Sequence, residues 1–367
     1  MKNVLFVHSS SELYGSDRSL LNIVSHLDRS KYSPFVILPC QGPLVDEMKK
    51  LPDVTVDVFE VAVLRRKNLS LKGGFAYLRD FMASCRYLKK YIQKNNIQIV
   101  DTNTAVVFPG AITAKRMGCK SIWHIREIIK SNIENKVISF VMQHFADLVV
   151  ANSQATGKSL LVDQTKVRVV YNAVTERDDA QLIPHEHLTV GMAGRINRWK
   201  GQKLFTDAAQ IVREQFPDVR FLIAGEAYMG EEHLKTELQE YISSKGLENT
   251  VILLGQVDDM PSFYAGLDVF VLPSTQPEPF GLVVIEAMEF GLPVVATNHG
   301  GPTEIITQGE DGWLVSHENP TEMAQRIIEL LADGSARSVM GDRGKKKKRS
   351  TFSVPAMVRS IEAVFKG

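Results

Sequence analysis

Short apolar runs rich in valine and isoleucine alternate, through the first half of the chain, with longer stretches whose apolar residues recur at helical spacing. The apolar runs predict strands at NVLFVHS, PFVILPC, VTVDVFEV, IQIVDTN, SIWHI, DLVVANS and VRVVYNAV. The stretches SLLNIVSHL and FAYLRDFMASCRYLKKYI lie between them and are predicted to be helices. The central strands are apolar on both faces, which is typical of a parallel sheet that is covered by helices on both sides.

The alternation stops at the polar stretch TERDDAQLIPHEH, which contains a proline and has no periodicity, and then resumes. The later runs LTVGMAG, VRFLIAG, TVILLGQV, VFVLPS, PVVATN and GWLV predict a second parallel sheet. The predicted fold class is therefore α/β, with two doubly wound domains at residues 1–175 and 188–345 and a linker at 176–187. A polar break, DGSARSVMGDRGKKKKRS, precedes a last amphipathic helix at 353–367, and the pattern does not decide which domain that helix joins. Ligands of such domains bind at the carboxyl ends of the strands, so we expect a site in the cleft between the domains.

The charge balance and the cysteines narrow the class of protein. The chain has 367 residues, a formal net charge of +1 and 23% charged residues, so no global field favours nucleic acid as a partner. Its three cysteines, Cys40, Cys85 and Cys119, lack the spacing of a metal site or a disulfide framework, which favours a reducing compartment. No run approaches the roughly 18 apolar residues of a membrane-spanning helix, and the opening MKNVLFVHSS is better explained as a strand than as a signal peptide. We therefore expect a cytoplasmic protein that is soluble or bound peripherally to a membrane.

The stretch EPFGLVVIEAME places two glutamates, Glu278 and Glu286, around the predicted start of a helix. The apolar spacing over 280–290 predicts this helix and puts Gly281 in its first turn, where backbone N–H groups lack intrahelical partners. A glycine there lets a phosphate approach those groups, and the helix dipole favours its negative charge. Glu278 is expected beside this phosphate site and Glu286 further along the helix, so both can accept hydrogen bonds from ligand hydroxyls. The alternative, two solvated surface glutamates, accounts poorly for Glu286, which has apolar neighbours on both sides.

The stretch GRINRWKG directly follows the strand LTVGMA and opens the helix KGQKLFTDAAQIV. Arg195 and Lys200 are therefore expected on a loop at the carboxyl end of a strand. Arginine can donate two parallel N–H groups to phosphate oxygens and lysine adds a compact charge, so this loop can hold a diphosphate without a metal ion. An ordinary basic loop is the alternative, and Arg198 is expected to be such a surface residue.

Four stretches in this order, GRINRWKG, DDMPSFYAGLDVFVLPS, EPFGLVVIEAME and GLPVVATNHGGPTEII, resemble the retaining glycosyltransferases of family four. The resemblance is dense over residues 191–314 and looser but continuous before them. It implies the GT-B fold, in which two Rossmann-like domains face a cleft, and it implies that the last helix crosses back onto the first domain. It also implies a nucleotide diphosphate sugar as donor substrate, with no cofactor and no metal.

The resemblance implies roles for residues of the second domain. Arg195 and Lys200 match the residues that grip the donor diphosphate, and Glu286 matches the glutamate that binds the ribose hydroxyls. Glu278 matches the residue that contacts the donor sugar. The other donor contacts that it implies are Phe280, Gly281 and Leu282 near the sugar and phosphate and Gln256 and Val257 near the base.

In the first domain the resemblance points to the loop HSSSELYGSDRSL and to the stretch WHIRE. Gly15 is expected to let the backbone approach donor phosphate and acceptor, although many relatives have two adjacent glycines where this chain has Gly15 and Ser16. His124 matches the histidine near the reacting sugar and is expected to be catalytic, with a satisfied structural histidine as the alternative. Arg126 and Glu127 either pair with each other or contact the acceptor.

Three polar segments have competing interpretations. Asp258 and Asp259 precede MPSFY and are interpreted as helix-capping residues rather than as metal ligands. Residues 62–94 contain nine basic residues and one acidic residue around an apolar stripe that core packing explains. The stripe consists of Phe75, Leu78, Phe81, Met82, Leu88 and Ile92. A solvated basic face and contact with an anionic membrane leaflet both remain open for this segment, and KKKKR at 345–349 adds weakly to the second.

The expected reaction is the retaining transfer of a hexose-type sugar to a hydroxyl of a glycan or lipid-linked acceptor, in bacterial surface polysaccharide synthesis. Arg195, Lys200 and the helix N-terminus are expected to stabilise the departing diphosphate, one of whose oxygens takes the proton of the acceptor. The alternatives on a similar fold are a sugar phosphorylase, a nucleotide-sugar epimerase and a non-catalytic nucleotide-sugar-binding protein. A dinucleotide dehydrogenase is disfavoured, because HSSSELYG after the first strand lacks the G-x-G-x-x-G fingerprint.

Overall fold

The computed structural model describes residues 1–64, 68, 70–129 and 132–367. The chain divides into two compact units. Unit 1 consists of Met1–Ala173 together with Val354–Gly367, and unit 2 consists of Val174–Ser353. The stretch that was predicted as a linker, 176–187, forms no helix or strand and belongs to unit 2.

Unit 1 is a parallel sheet with helices between its strands, numbered here in chain order. Its elements are β1 (Lys2–Val7), α1 (Gly15–His26), β2 (Tyr32–Leu38), α2 (Pro43–Lys49), β3 (Thr55–Val58), α3 (Leu71–Lys94), β4 (Ile97–Asn103), α4 (Phe108–Arg116), β5 (Lys120–Ile125), α5 (Asn132–Phe145), β6 (Leu148–Ala151), α6 (Gln154–Ser159), β7 (Val167–Val169) and the last helix of the chain, α14 (Val354–Lys366). The described residues form a seven-stranded sheet in the order β3-β2-β1-β4-β5-β6-β7, with every pairing parallel.

Alternate residues of β1 show why its sequence is apolar on both faces. Val4 and Phe6 pack with residues of α1, α2 and α14, while Leu5 and Val7 pack with residues of α3 on the opposite side of the sheet. All four side chains are fully buried. The final helix α14 is part of this core, where the Phe365 ring lies 6.2 Å from that of Phe6.

Unit 2 repeats the architecture. Its elements are β8 (Thr189–Ala193), α7 (Gln202–Gln215), β9 (Arg220–Ala224), α8 (His233–Ser244), β10 (Val251–Gly255), α9 (Met260–Ala265), β11 (Val269–Leu272), α10 (Leu282–Glu289), β12 (Val294–Thr297), α11 (Pro302–Ile305), β13 (Trp313–Val315), α12 (Pro320–Ala332) and α13 (Gly334–Thr351). The described residues of unit 2 form a six-stranded parallel sheet in the order β10-β9-β8-β11-β12-β13. The two sheets confirm the predicted α/β class.

The stretch predicted as a polar break is instead the helix α13. Asp333 caps its start, because one carboxylate oxygen accepts hydrogen bonds from the backbone N–H groups of Ser335 and Ala336 at 2.9 and 3.0 Å. The helix then packs closely against the end of α10. A side chain at Gly341 would place its Cβ 1.7 Å from the carbonyl oxygen of Gly291. The prediction failed because the helix has few apolar residues and buries glycines and a lysine in their place.

The basic run KKKKR lies on this helix, and most of its charges are held inside unit 2. Lys348 is fully buried and its Nζ donates to Glu289 at 2.5 Å, while Arg349 donates to the other carboxylate oxygen at 3.0 Å. Lys347 pairs with Asp311 at 2.9 Å. Four of the five cations of this run therefore have protein partners, since Lys345 donates to the Ala180 carbonyl. The run thus gives little support to membrane contact, which stays a prediction.

The apolar stripe of α3 is only partly explained by core packing. Leu88 and Ile92, in the second half of the helix, are buried as predicted. Phe75, Leu78 and Met82, in the first half, are exposed, so the core-packing interpretation is wrong for them. In the part of the chain that the structure describes, no helix is long and apolar enough to cross a membrane.

Candidate active site

Two loops of unit 2 are neighbours because the strands before them are paired. β8 pairs in parallel with β11 in the middle of the sheet. The loop at 194–201 follows β8, and the loop at 273–281 follows β11. The carboxyl ends of adjacent parallel strands lie at one edge of the sheet, so the basic motif and Glu278 are brought together there.

Hydrogen bonds hold the first of these loops in one shape. The side-chain oxygen of Asn197 accepts from the backbone N–H groups of Trp199 and Lys200, at 3.1 and 2.9 Å. The amide of the buried Gln202 donates to the Arg195 carbonyl at 3.0 Å. The Trp199 carbonyl accepts from the backbone N–H of Thr275 at 2.8 Å, which ties the two loops to each other.

Gly201, the last residue of the motif, allows the two loops to approach. Its φ is +78°, in the left-handed region that favours glycine. A Cβ at this position would also lie 1.7 Å from the carbonyl oxygen of Pro273, which is a severe overlap. Any other residue here would push α7 away from the second loop.

Lys200 and Glu278 form the centre of the site. The Lys200 Nζ lies 2.8 and 3.1 Å from the two carboxylate oxygens of Glu278, and both side chains are largely buried. The buried Ser274 hydroxyl donates to the same carboxylate at 3.0 Å. Nζ also lies 4.5 Å from the centre of the Trp199 ring, within reach of a cation–π interaction. Neither Ser274 nor Trp199 was predicted as a site residue, although both lie inside the quoted motifs.

The stretch NHGGPTE supports Glu278 from the other side. The backbone N–H of Gly301 donates to the Glu278 carbonyl at 2.7 Å. A Cβ on Gly300 would lie 2.2 Å from that carbonyl oxygen, and one on Gly301 would lie 2.3 Å from the Phe280 Cα. The two adjacent glycines are therefore needed for the backbone of this stretch to lie against the EPF segment.

The helix after Glu278 begins later than its sequence pattern predicts. α10 covers Leu282–Glu289, and Gly281 is its N-cap with φ of +100° rather than a residue of the first turn. Phe280 precedes the helix, and its ring is buried 5.9 Å from that of Phe352. The first backbone N–H of the helix is therefore that of Leu282, which is only partly buried.

Glu286 lies in the second turn of α10 and is half-buried. One of its carboxylate oxygens accepts a hydrogen bond from the hydroxyl of the buried Tyr264 at 2.7 Å. Tyr264 was not predicted as a site residue, and it fixes the direction of the carboxylate. The capping interpretation of Asp259 is confirmed, because its side chain accepts from the Ser262 backbone N–H at 3.1 Å at the start of α9.

The remaining predicted donor contacts are more exposed. Arg195 is exposed, and its guanidinium lies 5.7 Å from the centre of the Tyr228 ring. Arg198 is a surface residue as expected and pairs with Glu237 at 3.2 Å. Gln256 is exposed and Val257 half-buried, directly after β10 at the edge of the sheet.

His124 lies near the end of β5 in unit 1 and is almost completely buried. Burial, and then the charge of Arg126, lower the pKa of His124 to about 4, against the opposing effect of Asp101. The Asp101 carboxylate is 3.8 Å from Nδ1. Among the described residues neither ring nitrogen of His124 has a hydrogen-bond partner, so the satisfied structural histidine is not what the structure shows. The ring is neutral at pH 7 and can act as a hydrogen-bonding group rather than as a cation.

Arg126 is buried and directed into unit 1. Its guanidinium donates to the Ser19 hydroxyl at 2.7 Å and to the Asn172 side-chain oxygen at 2.5 Å. The Glu127 carboxylate accepts from the backbone N–H of Arg126 at 3.1 Å, and burial raises its pKa. Arg126 therefore bonds to Ser19 and Asn172 of its own unit, and Glu127 bonds to backbone. Contact of either residue with the acceptor stays a prediction.

Gly15 is the first residue of α1, and the loop before it is organised by a residue that sequence reasoning missed. The buried Asp17 lies 2.7 Å from Nε2 of His8. Its other carboxylate oxygen accepts from the Ser10 hydroxyl at 3.2 Å and from the Tyr14 backbone N–H at 2.9 Å. Asp17 thus joins the end of β1 to the start of α1. The sequence signal that could have found it is an acidic residue three positions after the N-cap, which is Tyr14 here.

Two family models match successive parts of the chain. The model described as Glycosyltransferase Family 4 matches residues 14–177, and the model described as Glycosyl transferases group 1 matches residues 174–347. The chain belongs to glycosyltransferase family four. The resemblance inferred from the four motifs is thereby confirmed.

Solved structures extend the comparison to the whole fold of this family four chain. It is similar to Alr3699/HepE of Anabaena, solved in complex with UDP and glucose, with a TM-score of 0.85, 25% identity and 100% of both chains covered. The same Anabaena protein is also known in complex with UDP-glucose. The predicted GT-B fold is confirmed by this match and by the two parallel sheets.

Curated relatives match over shorter stretches. Spore coat protein SA of Bacillus subtilis is 29% identical over 185 residues, which are 49% of each chain. The lipopolysaccharide core biosynthesis mannosyltransferase LpsB of Rhizobium meliloti is 30% identical over 178 residues, or 48% of this chain and 50% of that protein. The chain thus spans about half the length of these relatives.

Proposed function

We propose that the protein transfers a hexose-type sugar from a nucleotide diphosphate sugar to a hydroxyl group, with retention of the anomeric configuration. The observation that supports this most directly is the Lys200–Glu278 pair, with Nζ and carboxylate oxygen 2.8 Å apart just before the N-terminus of α10. A cation and the free N–H groups of a helix suit a diphosphate, and a carboxylate between them suits the sugar attached to it.

The bonding capacity of the pair fits that assignment. A lysine ammonium has three donors, and two of them are directed to the oxygens of Glu278, which leaves one for a phosphate oxygen. A carboxylate accepts about four hydrogen bonds. Those from Lys200 and Ser274 use three of these positions and leave one for a sugar hydroxyl.

Glu286 and Arg195 complete the donor site in this proposal. The Tyr264 hydroxyl fixes the direction of the Glu286 carboxylate, which we assign to the ribose hydroxyls. Arg195 is exposed near Tyr228, and its guanidinium can donate to the diphosphate. Gln256 and Val257 follow β10 and are assigned to the base, while Phe280, Gly281 and Leu282 contribute backbone near the sugar and phosphate.

In the proposed reaction the bond between the anomeric carbon and the diphosphate oxygen breaks, and the acceptor oxygen bonds to that carbon from the same face. The acceptor's proton passes to an oxygen of the leaving diphosphate, so no protein base is required. Lys200, Arg195 and the N-terminus of α10 stabilise the negative charge that grows on the leaving group. This fixed positive charge replaces a metal ion, so we expect transfer to persist in the presence of a chelator.

Three further parts of the proposal have narrower support. Complexes of the Anabaena relative with UDP and UDP-glucose support a uridine nucleotide sugar as donor. The name of the Rhizobium relative supports a role in surface polysaccharide synthesis. We place the acceptor, a glycan or a lipid-linked saccharide, on unit 1 with His124 and Gly15, and we place the protein in the cytoplasm, peripherally on the inner membrane face.

Thermal-shift titration with UDP, UDP-glucose and other nucleotide sugars tests donor binding, because a ligand that binds only the folded state raises Tm. Release of UDP in the presence of acceptor saccharides then measures transfer. Lys200→Ala and Glu286→Ala are expected to lower kcat/KM by about 100-fold or more, since each removes a polar contact to the donor. Arg198→Ala is the matched control, because Arg198 lies on the same loop and pairs with Glu237 on the surface.

Glu286→Ala, at a half-buried position, is expected to keep the wild-type Tm without ligand. Lys200→Ala is expected to stay folded with a lowered Tm, because Glu278 is left largely buried without its cation. Wild-type turnover by either variant would contradict the assignment of the donor site. A donor-induced rise in Tm without transfer or hydrolysis for any saccharide acceptor would favour a nucleotide-sugar-binding protein instead.

A further inference from the structure

Three large apolar side chains on the first half of α3 are exposed to solvent. Phe75, Leu78 and Met82 are 75%, 51% and 43% exposed. Their spacing of three and four residues places them on one face of the helix. The solvent-exposed face of a helix is normally polar. An exposed apolar stripe of this kind indicates a surface that binds a protein or a membrane.

A second stripe of the same kind lies on the first half of α5. Ile133, Val137 and Phe140 are 77%, 48% and 63% exposed, again at helical spacing. The opposite side of α5 is an ordinary core face, with Ile138 and Met142 buried. The helix therefore packs normally on one side, and the exposed apolar stripe is a second, separate apolar face.

The two stripes belong to one side and one end of unit 1. Tyr77 and Phe81 of α3 pack in the same cluster as Ile138 and Met142 of α5, around the buried Trp123. Both helices thus cover the same face of the sheet. Each helix follows a parallel strand and runs back along it, so its first half lies at the carboxyl end of the sheet. We call the six exposed side chains of α3 and α5 the apolar rim.

Basic side chains accompany the apolar rim. α3 contains six lysines and arginines and one acidic residue, Asp80, which pairs with Arg79. Arg79 follows Phe75 by four residues and Arg86 follows Met82 by four, so both lie on the face of the stripe. The basic residues of this helix are Lys72, Arg79, Arg86, Lys89, Lys90 and Lys94. α5 adds one charge of each sign in this region, Glu134 and Lys136.

We propose that the apolar rim, with the basic residues of α3, docks on the surface of an anionic lipid bilayer. Apolar side chains that enter the interface beside lysines and arginines that meet anionic headgroups are the combination that binds such membranes. Association of two copies through the same face would bring the positive charges of both α3 helices together, which opposes a dimer. The inference rests on the proposed function only for its purpose: a lipid-linked acceptor in the bilayer would be presented at the carboxyl end of the unit 1 sheet, where the apolar rim lies.

Sedimentation with vesicles tests the proposal on the full chain. Wild-type protein is expected to bind vesicles of phosphatidylcholine and phosphatidylglycerol, and to bind phosphatidylcholine alone much more weakly. Phe75→Ser/Leu78→Ser/Met82→Ser and Ile133→Ser/Val137→Ser/Phe140→Ser are each expected to lower the vesicle partition coefficient about tenfold. Arg79→Glu/Arg86→Glu is expected to remove the preference for phosphatidylglycerol, because each basic residue near an anionic surface is worth about fivefold in binding.

Leu182→Ser/Val339→Ser is the control, because it removes two apolar side chains of unit 2 that are 45% and 48% exposed. It is expected to bind vesicles like the wild type. The rise of Tm with UDP is expected to persist in every variant, so a failure here is separable from a failure of the donor site. The proposal is overturned if the wild-type protein does not bind anionic vesicles, or if the variants of the apolar rim bind them as well as the wild type does. It is also overturned if the wild-type protein is a dimer that the rim substitutions dissociate.

Discussion

At the scale of single residues, the proposed donor site of unit 2 depends on glycines that let two chain segments come into contact and on buried side chains that hold charged ones in place. Gly201 lets the loop after β8 reach the loop after β11, and the Lys200–Glu278 pair is formed across that contact. Tyr264 and Ser274 then hold the two glutamates in place. None of these five residues forms the site alone, and the site depends on their lying together.

Gly201→Ala is expected to destabilise unit 2 by more than about 3 kcal/mol, because strain at positive φ adds to an overlap with Pro273. Gly246→Ala is the matched comparison, since its φ is +61° and no atom lies within 4 Å of the added Cβ. The second change is expected to cost about 1 kcal/mol. Urea unfolding of the two variants gives the difference, and equal costs would mean that the overlap with Pro273 is relieved by a small shift.

The buried His124 makes the stability of unit 1 depend on pH. Its folded-state pKa of about 4 lies below the ordinary value of 6.5. A depressed histidine pKa means that the unfolded chain takes up the proton first, so stability is fully present above 6.5 and is lost as pH falls towards 4. The shift corresponds to roughly 3 kcal/mol at most.

Unfolding of wild type and His124→Gln across this range tests the dependence. The wild type is expected to lose stability more steeply than the variant between pH 6.5 and 4, and the difference between the two curves isolates His124 from the carboxylates. The exposed His26→Gln variant controls for loss of a histidine elsewhere. Parallel curves for wild type and His124→Gln would show that the imidazole is not kept neutral by burial.

At the scale of elements, α13 shows how a helix with little apolar surface is kept in a core. Its glycines allow close contact with the end of α10, and its buried Lys348 bonds to Glu289, the last residue of α10. An ion pair inside a protein stabilises it only if both members remain, because a lone buried charge is costly. This pairing links α10, which begins at the proposed donor site, to the last helix of unit 2.

Lys348→Met is expected to destabilise unit 2 by about 3–5 kcal/mol, because it leaves Glu289 buried beside Arg349 alone. Glu289→Gln/Lys348→Met is expected to recover most of this loss, since no buried charge remains unpaired. Lys346→Met, at an exposed position of the same helix, is expected to stay within about 0.5 kcal/mol of the wild type. Chemical unfolding measures all three, and a mild effect of Lys348→Met alone would rule out the ion pair as the anchor of α13.

At the scale of the whole molecule, the two units differ in how the chain builds them. Unit 2 is one continuous segment, and its hydrophobic core is made within that segment. Unit 1 is discontinuous, because α14 returns to it from the end of the chain and contributes Ile361 and Phe365 to its core. Unit 1 therefore depends on a helix from the far end of the chain for its core, whereas unit 2 builds its core from one continuous segment.

A fragment of residues 174–353 is expected to fold alone and to show a rise in Tm with UDP, since it contains its own core and the proposed donor residues Lys200, Glu278 and Glu286. A fragment of residues 1–173 is expected to be unstable, because it lacks the buried side chains of α14. Addition of a peptide of residues 354–367 is expected to restore part of its cooperative unfolding. Calorimetry of both fragments gives the answer, and a stable 1–173 fragment would show that α14 is dispensable for unit 1.

Local pattern by itself determined the strands, the α/β class and the motifs of the donor loops. Strands such as NVLFVHS and VFVLPS are apolar throughout because helices cover both faces of each sheet, and that requirement is visible in short windows of sequence. The glutamates, the basic loop and the paired glycines could also be found in advance, because each motif is contiguous in the chain.

Contacts between distant residues decided what local pattern could not. The polar sequence of α13 can bury Lys348 because the lysine pairs with Glu289, which lies 59 residues earlier in the chain. The apolar stripe of α3 has one periodicity, yet Leu88 is buried and Phe75 is exposed, because only the tertiary structure determines where a neighbouring element covers the helix. The partners of Glu278 and Glu286 come likewise from distant parts of the chain, Lys200 from the loop after β8 and Tyr264 from α9. Periodicity records which side chains share a face, but burial, pairing and charge depend on what the fold places against that face.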